Sequence, residues 1–418
     1  MNRDALAPLR LPSYRAWLAG RATSAFGNSI APIALAFAVL DISDSPRDLG
    51  LVVGARTLVN VIFLLFGGVL ADRMPKHALM VGASLAAFAS QAVVAAAVLT
   101  DTATIPMLIV IGAFNGMVGA VAFPASSAIV PQLIPAEMRQ QGNALGRLSL
   151  NAATILGAPV GGILAGSIGP GWGIAVDATT FLLAGVFFSL IRLPRKEPVA
   201  STEKQSIVHD LRTGWTEFRS RTWLWAVVIG FCVVNAAMVG GFAVLGPVVA
   251  DDSIGRELWG FVLAAETAGM IIGALIFLRL RVRRLLLLGV VATAFEAVPL
   301  FVLGVRPHFV LMVFAGFLAG VTIEQFAIAW ETTVQEHVPS DKLARVYSYD
   351  MVGSMLAVPL GQVAVGPLAE AFGLEATLVG LSALIVLAVV GMLCSRDVRH
   401  LEHALPEPEA PVVKESAA

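Results

Sequence analysis

The chain reads as long apolar runs separated by short polar intervals. Runs of bilayer length fall near residues 15–40, 50–71, 78–99, 104–131, 142–168 and 171–191. After a polar interval, six more fall near 223–250, 258–280, 284–304, 308–332, 344–371 and 375–394. A helix needs about 20 mostly apolar residues to cross roughly 30 Å of hydrocarbon, so each run predicts one spanning helix. Transmembrane strands are excluded, because the runs are too long and do not alternate at every second position. The first run is longer than a signal-peptide core and lacks a small-residue cleavage site before charged sequence, so it counts as a span.

The two sets of six repeat. Val130-Pro-Gln-Leu-Ile-Pro135-Ala-Glu137 aligns with Val334-Gln-Glu-His-Val-Pro339-Ser-Asp341 at an offset of 204 residues. Each copy follows the fourth span of its half, as a duplicated six-span unit requires. The expected organisation is a six-helix bundle over 1–191, a linker over 192–222, a second bundle over 223–396 and a disordered tail over 397–418. Within the linker, Ile207, Val208, Leu211, Trp215 and Phe218 have the spacing of a helix lying on the membrane surface. The tail from Leu405 is rich in Pro and Glu.

Composition agrees and adds the solvent. Of 418 residues, 57% are apolar and 14% charged, with a mean hydropathy of +0.82. Soluble domains are about 25% charged, so a water-soluble enzyme is excluded and lipid is the expected surround. A formal charge of −1 leaves no bulk basic field for nucleic acid. Placement of charge is more telling than its sum. With both termini cytoplasmic, 24 of the 28 Lys and Arg fall in inner segments and three (Arg47, Arg256, Arg306) in outer loops. Arg56 is left inside a span, and the asymmetry fixes orientation and supports an even number of crossings. The expected location is the inner (cytoplasmic) membrane. Cys232 and Cys394 sit in apolar runs as small hydrophobes and suggest neither a disulfide framework nor a zinc site.

The sharpest local pattern is Gly68-Val-Leu-Ala-Asp72-Arg73-Met-Pro75-Lys76-His77, after the second span. Gly allows close helix contact, Asp72 can accept from free N–H groups or pair with a cation, and Arg73 and Lys76 anchor the inner face. This stretch resembles the loop signature of the major facilitator superfamily, Gly-x-x-x-Asp-Arg-x-Gly-Arg-Arg, with Pro75, Lys76 and His77 at its last three places. Tyr14-Arg-Ala-Trp17-Leu-Ala-Gly-Arg21 and Phe26-Gly-Asn28-Ser are similar to first spans of its drug:proton antiporter branch. Phe123-Pro-Ala-Ser-Ser-Ala-Ile-Val-Pro131-Gln-Leu-Ile-Pro135 resembles macrolide-efflux and siderophore-export (enterobactin exporter-like) members. The likeness covers roughly residues 12–396. It implies twelve transmembrane helices in two six-helix bundles about a central cavity, with Asp72 latching the halves near the start of span 11.

The sequence also departs from that pattern. The fifth-span motif Gly-Pro-x-x-Gly-Gly stands here as Gly157-Ala-Pro159-Val-Gly161-Gly162, one residue shorter between Pro and the Gly pair. Those residues let helices approach closely and bend span 5. Asn115 stands about where many proton-coupled relatives carry Arg, and Asn28 where relatives often have Asp. The usual first-half proton relay is therefore put in doubt, while the fold is not.

Ionisable groups within spans are costly and face a cavity or a partner. Glu266, Glu296 and Glu324 count closest to mid-membrane, with Asp177 and Arg56 nearer the outer ends and able to pair. A carboxylate moved between dry and wet surroundings changes its proton occupancy, which is what a proton-coupling site requires. Glu266 and Glu324 lead Glu296, because span 9 is peripheral in the family resembled, and Asp177 completes the set. Asn28, Arg56, Asn115 and Asn235 are the polar candidates for a substrate cavity. Phe26, Phe114, Phe242, Phe326 and Trp330 are the aromatic ones.

No enzyme constellation is present. No Walker-type Gly-rich loop is found, so ATP is not the expected energy source, and the six His residues lie in loops and tails without metal spacing. Neither a cofactor nor a metal is expected. The leading expectation is a monomeric exporter of an amphipathic small molecule (a drug, antibiotic or siderophore-like compound), driven by proton antiport through alternating access. The alternatives are an importer or uniporter of a small nutrient on the same fold and, ranked lower, a non-transporting membrane receptor.

Overall fold

The computed structural model describes residues 3–192, 215–277, 282–339 and 342–402. Twelve long helices cross in alternation. The first bundle holds α1 (Pro12–Ser43), α2 (Pro46–Arg73), α3 (Lys76–Leu99), α4 (Ile105–Ala128), α5 (Arg139–Ser167) and α6 (Pro170–Ser189). The second holds α7 (Thr222–Asp252), α8 (Arg256–Phe277), α9 (Leu285–Val305), α10 (Phe309–His337), α11 (Leu343–Met355 and Val358–Phe372) and α12 (Leu374–Cys394). Eleven of these are long and apolar enough to cross a membrane among the described residues. The twelfth is α2, whose side chains from residue 64 to 73 lie outside the described residues. No strand occurs among the described residues.

Every expected run therefore became a helix, and the departures are internal. The α-helical course of α7 gives way to a π-helical stretch over Val239–Leu245. In α9, Thr293–Glu296 forms a 3₁₀ turn, and α11 breaks between Met355 and Val358 just before Pro359. Proline cannot donate the N–H that would continue the ladder, which accounts for the last of these. Pro12, Pro106 and Pro170 open α1, α4 and α6 in their first turn, where a missing N–H costs nothing.

The duplication extends into three dimensions. Within the first bundle α2 packs on α4, α1 on α5 and α6, and α3 on α4 and α6. Adding six to each label gives the packing of the second bundle: α8 on α10, α7 on α11 and α12, and α9 on α10 and α12. The turn before the sixth helix of each half is made by Gly169 (φ 101°, ψ 152°) and Gly373 (φ 86°, ψ 156°). Only glycine populates that region freely. These two positions are separated by the same 204 residues as the loop repeat.

The two largest contacts between the bundles, α2 with α11 and α5 with α8, exchange under the same relation, and α1 and α2 also touch α7. Both large contacts lie toward the face that carries the α1–α2 and α7–α8 turns, opposite the face of the termini. The apolar core is continuous across them, including Phe37, Leu49, Val52, Trp259 and Val365.

At the face of the termini, residues 215–220 form a helical turn before α7. Trp215 and Phe218 pack on Tyr349 of α11, with ring centroids 5.6 and 5.9 Å away. Glu217 accepts from Lys342 Nζ at 2.7 Å and pairs with Arg221, and these cations hold its carboxyl below the usual carboxylate range. The rest of the amphipathic stretch expected from Ile207, and the tail from residue 403, lie outside the described residues.

Candidate functional site

Polar side chains on the inner faces of α1–α6 converge on an open cavity of about 530 Å³. Its wall includes Asn28 of α1, Arg56 of α2, Gln91 of α3 and Asn115 of α4, and extends to Arg21 and Ser126 toward the face of the termini. Three of the polar residues singled out in the sequence thus share one cavity. Asn28 turns back on its own helix, donating to the Ser24 carbonyl at 2.8 Å. Asn115 accepts from Ser90 Oγ at 3.0 Å, while Asn60 of α2 donates to the Gly116 carbonyl at 3.0 Å.

Asp177 lies fully buried behind this wall. Its Oδ2 accepts from Gln91 Nε2 at 2.7 Å, and its Oδ1 has no hydrogen-bond partner. Arg56 and Asp177, able to pair by their predicted depth, form no ion pair among the described residues, although both approach the same cavity wall. Their opposite charges at similar depth are legible in the sequence. Gln91 is not, because a single amide in a run of Ala and Val carries no signal of its role.

A second cavity, about 300 Å³, lies where α1, α7 and α8 meet. Glu266 lines it together with Phe242 and Trp259, whose rings are 5.0 Å apart. Glu296 sits on the 3₁₀ turn of α9, 4% exposed and close enough to Glu266 for their charges to interact. Neither glutamate makes a hydrogen bond or ion pair among the described residues. Glu324 of α10 is half-buried and lines neither cavity.

Other candidates are elsewhere. Phe326 stacks on Phe231 at 3.8 Å and Trp330 packs edge-on against Trp223, so both belong to the α7–α10 core. Trp330 Nε1 donates to Asp350 at 2.8 Å. Asn235 ties α7 to α11 through the Ser354 carbonyl at 3.1 Å, and Phe26 packs beside Gly157. Phe114 is 40% exposed and lines neither cavity. His337 is in the last turn of α10 rather than in a loop, its Nδ1 3.0 Å from the Thr333 carbonyl.

The glycines of α5 work on two sides. Gly157 and Gly161 admit the backbone of α1, whereas Gly162 admits α8. A Cβ at Gly162 would stand 2.7 Å from the Arg256 carbonyl oxygen and 3.1 Å from the Gly260 nitrogen. Pro159 completes the contact beside Gly260. Above it, Arg256 donates through Nε and Nη2 to Asp251 at 2.6 and 2.7 Å, and through Nη2 to Asp41 of α1 at 2.7 Å. The guanidinium also lies over the Phe37 ring at 4.9 Å. Across the molecule, Gly50 and Gly366 bring α2 against α11. The glycine contacts between the bundles and the Asp41 pair cluster at the α1–α2 face. At the other face, the backbone of Gly68, Asp72 and Arg73 forms the last turns of α2, but their side chains lie outside the described residues. Lys76 opens α3.

Known proteins bear the same pattern. The model of the Major Facilitator Superfamily matches residues 17–361. The multidrug efflux pump Tap of Mycolicibacterium fortuitum is 26% identical, over 95% of this chain and 98% of its own length. Macrolide efflux protein A of Streptococcus pyogenes is 22% identical over 94% of this chain and 98% of its own. The MFS-type transporter YvqJ of Bacillus subtilis is 25% identical, but the match spans 61% of this chain and 62% of that protein. Among solved structures, the nucleoside transporter NupG superposes with a TM-score of 0.72 at 11% identity, covering 91% of this chain and 98% of that one. A bacterial homologue of the human lysosomal transporter Spinster, inward-facing and occupied, gives 0.71 at 14% identity over 91% and 95%. The two structures share the fold.

Proposed function

The chain belongs to the Major Facilitator Superfamily, and on that premise we propose that it exports an amphipathic small molecule in exchange for protons. One observation carries the reading: the bundles are held together at the α1–α2 face, while a polar cavity extends toward the face of the termini. With the basic residues inside, this is a cavity offered to the cytoplasm, the loading state of an exporter. The names of Tap and macrolide efflux protein A support that direction.

Coupling is assigned to the acids within the spans. Glu266 shares a cavity with two aromatic rings, so an apolar cargo and a proton compete for one place. Glu324 is a half-buried acid of α10 in the second bundle, and Glu296 and Asp177 are buried reserves of the same chemistry. A ligand shifts a two-state equilibrium only by binding the states unequally, and a proton held in one of them supplies that inequality. The cytoplasmic latch is assigned to Asp72, Arg73 and Lys76 with Gly68.

The test begins with a drug-susceptibility panel in an efflux-deficient host to obtain a substrate. Transport is then measured in inverted vesicles with and without a proton gradient. Glu266→Gln or Glu324→Gln is expected to abolish gradient-driven accumulation at unchanged expression. Normal transport by both variants refutes the coupling assignment, and movement of the substrate with the proton flux would make the protein an importer.

A further inference from the structure

Away from both cavities, an apolar groove of about 670 Å³ opens on the outer surface of the second bundle. Its size is within the roughly 300–1,000 Å³ typical of small-ligand sites. The floor is Cys232 and Val228 of α7 with Val352 of α11, and the rim is Trp215, Trp225 and Arg219. Along α7 the lining runs from Trp225 to Val233, about 12 Å at 1.5 Å per residue. The groove shares no lining residue with the polar cavity of the first bundle.

Its two ends differ chemically. The deep end is wholly apolar and opens sideways to hydrocarbon, where Ile229 is 59% exposed. The shallow end carries Trp215, Trp225 and Tyr349, residues of the kind that mark the membrane–water interface. There Arg219 is exposed and makes no hydrogen bond or ion pair among the described residues. No carboxylate lines the groove. Glu217, the nearest acid in sequence, is occupied by Lys342 and Arg221. An apolar slot reaching into the hydrocarbon, topped by aromatic rings and an uncompensated guanidinium, is complementary to one occupant of the bilayer.

We propose that this groove is a binding site for an anionic phospholipid of the surrounding leaflet, with an acyl chain along α7 and the phosphate on Arg219. The ligand seats the helical turn 215–220 against α11 through Trp215 and Tyr349, so the site couples lipid composition to the segment that joins the bundles.

Trp225 makes the proposal measurable. The full chain is placed in nanodiscs of phosphatidylcholine carrying a minor fraction of chain-brominated phosphatidylglycerol or chain-brominated phosphatidylcholine. The Trp225 contribution is the fluorescence difference between the natural chain and Trp225→Phe. Brominated phosphatidylglycerol is expected to occupy the groove about fivefold more effectively, the factor one Arg contributes near anionic lipid. Arg219→Gln is expected to erase the preference and Arg219→Lys to retain most of it. Bimane labelling of Cys232 in a Cys394→Ser background gives a second readout, slowed by phosphatidylglycerol and not by phosphatidylcholine. Equal quenching by the two lipids, or a preference that survives Arg219→Gln, overturns the proposal. Quenching of Trp225 by ethidium with no response to either lipid would assign the groove to a transported cation and overturn it equally.

Discussion

Replacing Gly162 by alanine tests whether the α5–α8 contact sets the conformational equilibrium. The added Cβ would lie 2.7 Å from the Arg256 carbonyl oxygen, 2.9 Å from that of Glu257 and 3.1 Å from the Gly260 nitrogen. All three are backbone atoms, so no side chain can swing aside. Ordinary contact starts near 3.4 Å, and α5 and α8 must part locally by about 0.7 Å. Forcing a methyl group into a well-packed contact costs about 1–3 kcal/mol, and a penalty of that size confined to the joined state shifts the population about 5–150-fold. The gain in helix propensity, about 1 kcal/mol for Ala over Gly, applies to both states and cancels. By comparison, the Arg256–Asp41 pair has side chains 21% and 42% exposed, and such a pair is worth only about 0.2–1 kcal/mol. Asp41→Asn should therefore shift the equilibrium less than fivefold or so, since Arg256 keeps Asp251. The assay is pulsed electron spin resonance between labels at the exposed positions Asp44 and Ser253, with Cys232 and Cys394 changed to Ser. Gly162→Ala should populate a longer distance, while Gly391→Ala, with nothing within 4 Å, should leave the distribution alone. An unchanged distribution in well-folded Gly162→Ala protein refutes the reasoning.

Other consequences are equally direct. Gln91→Ala strips Asp177 of its buried donor and should cost about 1.5–3 kcal/mol, read as a fall in detergent-solubilised melting temperature, whereas Gln91→Glu should be worse. Gly169→Ala and Gly373→Ala each impose a positive φ on a residue with a Cβ and should cost at least ~1–2 kcal/mol by the same measure. Equal stability of either variant would contradict the turn geometry. Glu217 has a depressed folded-state titration, so its contribution is present above the ordinary Glu range near about pH 4.3 and is lost as pH falls below it. The melting-temperature gap between the natural chain and Glu217→Gln should accordingly be small and positive at neutral pH and vanish in acid. Trp330→Phe removes one of the two donors to Asp350, leaving Ser354 Oγ, and should cost about 1–3 kcal/mol, read as a lower melting temperature; an unchanged melting temperature would contradict it.

The twelve crossings were legible because lipid imposes a simple rule on composition: each run of apolar residues either spans or does not. The duplication could be read as well, from the loop repeat, and the structure added the Gly169–Gly373 turns at the same offset. Neighbours across helices were less legible. Asn28, Arg56 and Asn115 meet in one cavity because they project from adjacent inner faces; Arg56 was marked as a charge inside a span, and Asn28 and Asn115 by their places in the family resembled. Phe326 and Trp330 looked the same as cavity aromatics in sequence, yet Phe326 stacks on Phe231 and Trp330 packs edge-on against Trp223. A spanning helix is apolar on all sides, so periodicity cannot tell a core face from a lipid face or a cavity face. The π-helical stretch of α7 and the 3₁₀ turn at Glu296 were invisible for a related reason, as neither requires Gly or Pro at a fixed place.

The pairing of α2 with α11 and of α5 with α8 has a mechanical meaning. Two bodies whose main contacts lie at two separate places on one face are expected to hinge along the line joining those places. Translation is blocked by the interlocked glycines, and twisting would force one contact to separate while the other collides. A single rotation about that line is left, and it displaces the far ends of the helices most. The repeat therefore supplies two bearings from one duplicated part, and damage to either bearing alone should convert a clean tilt into a wobble.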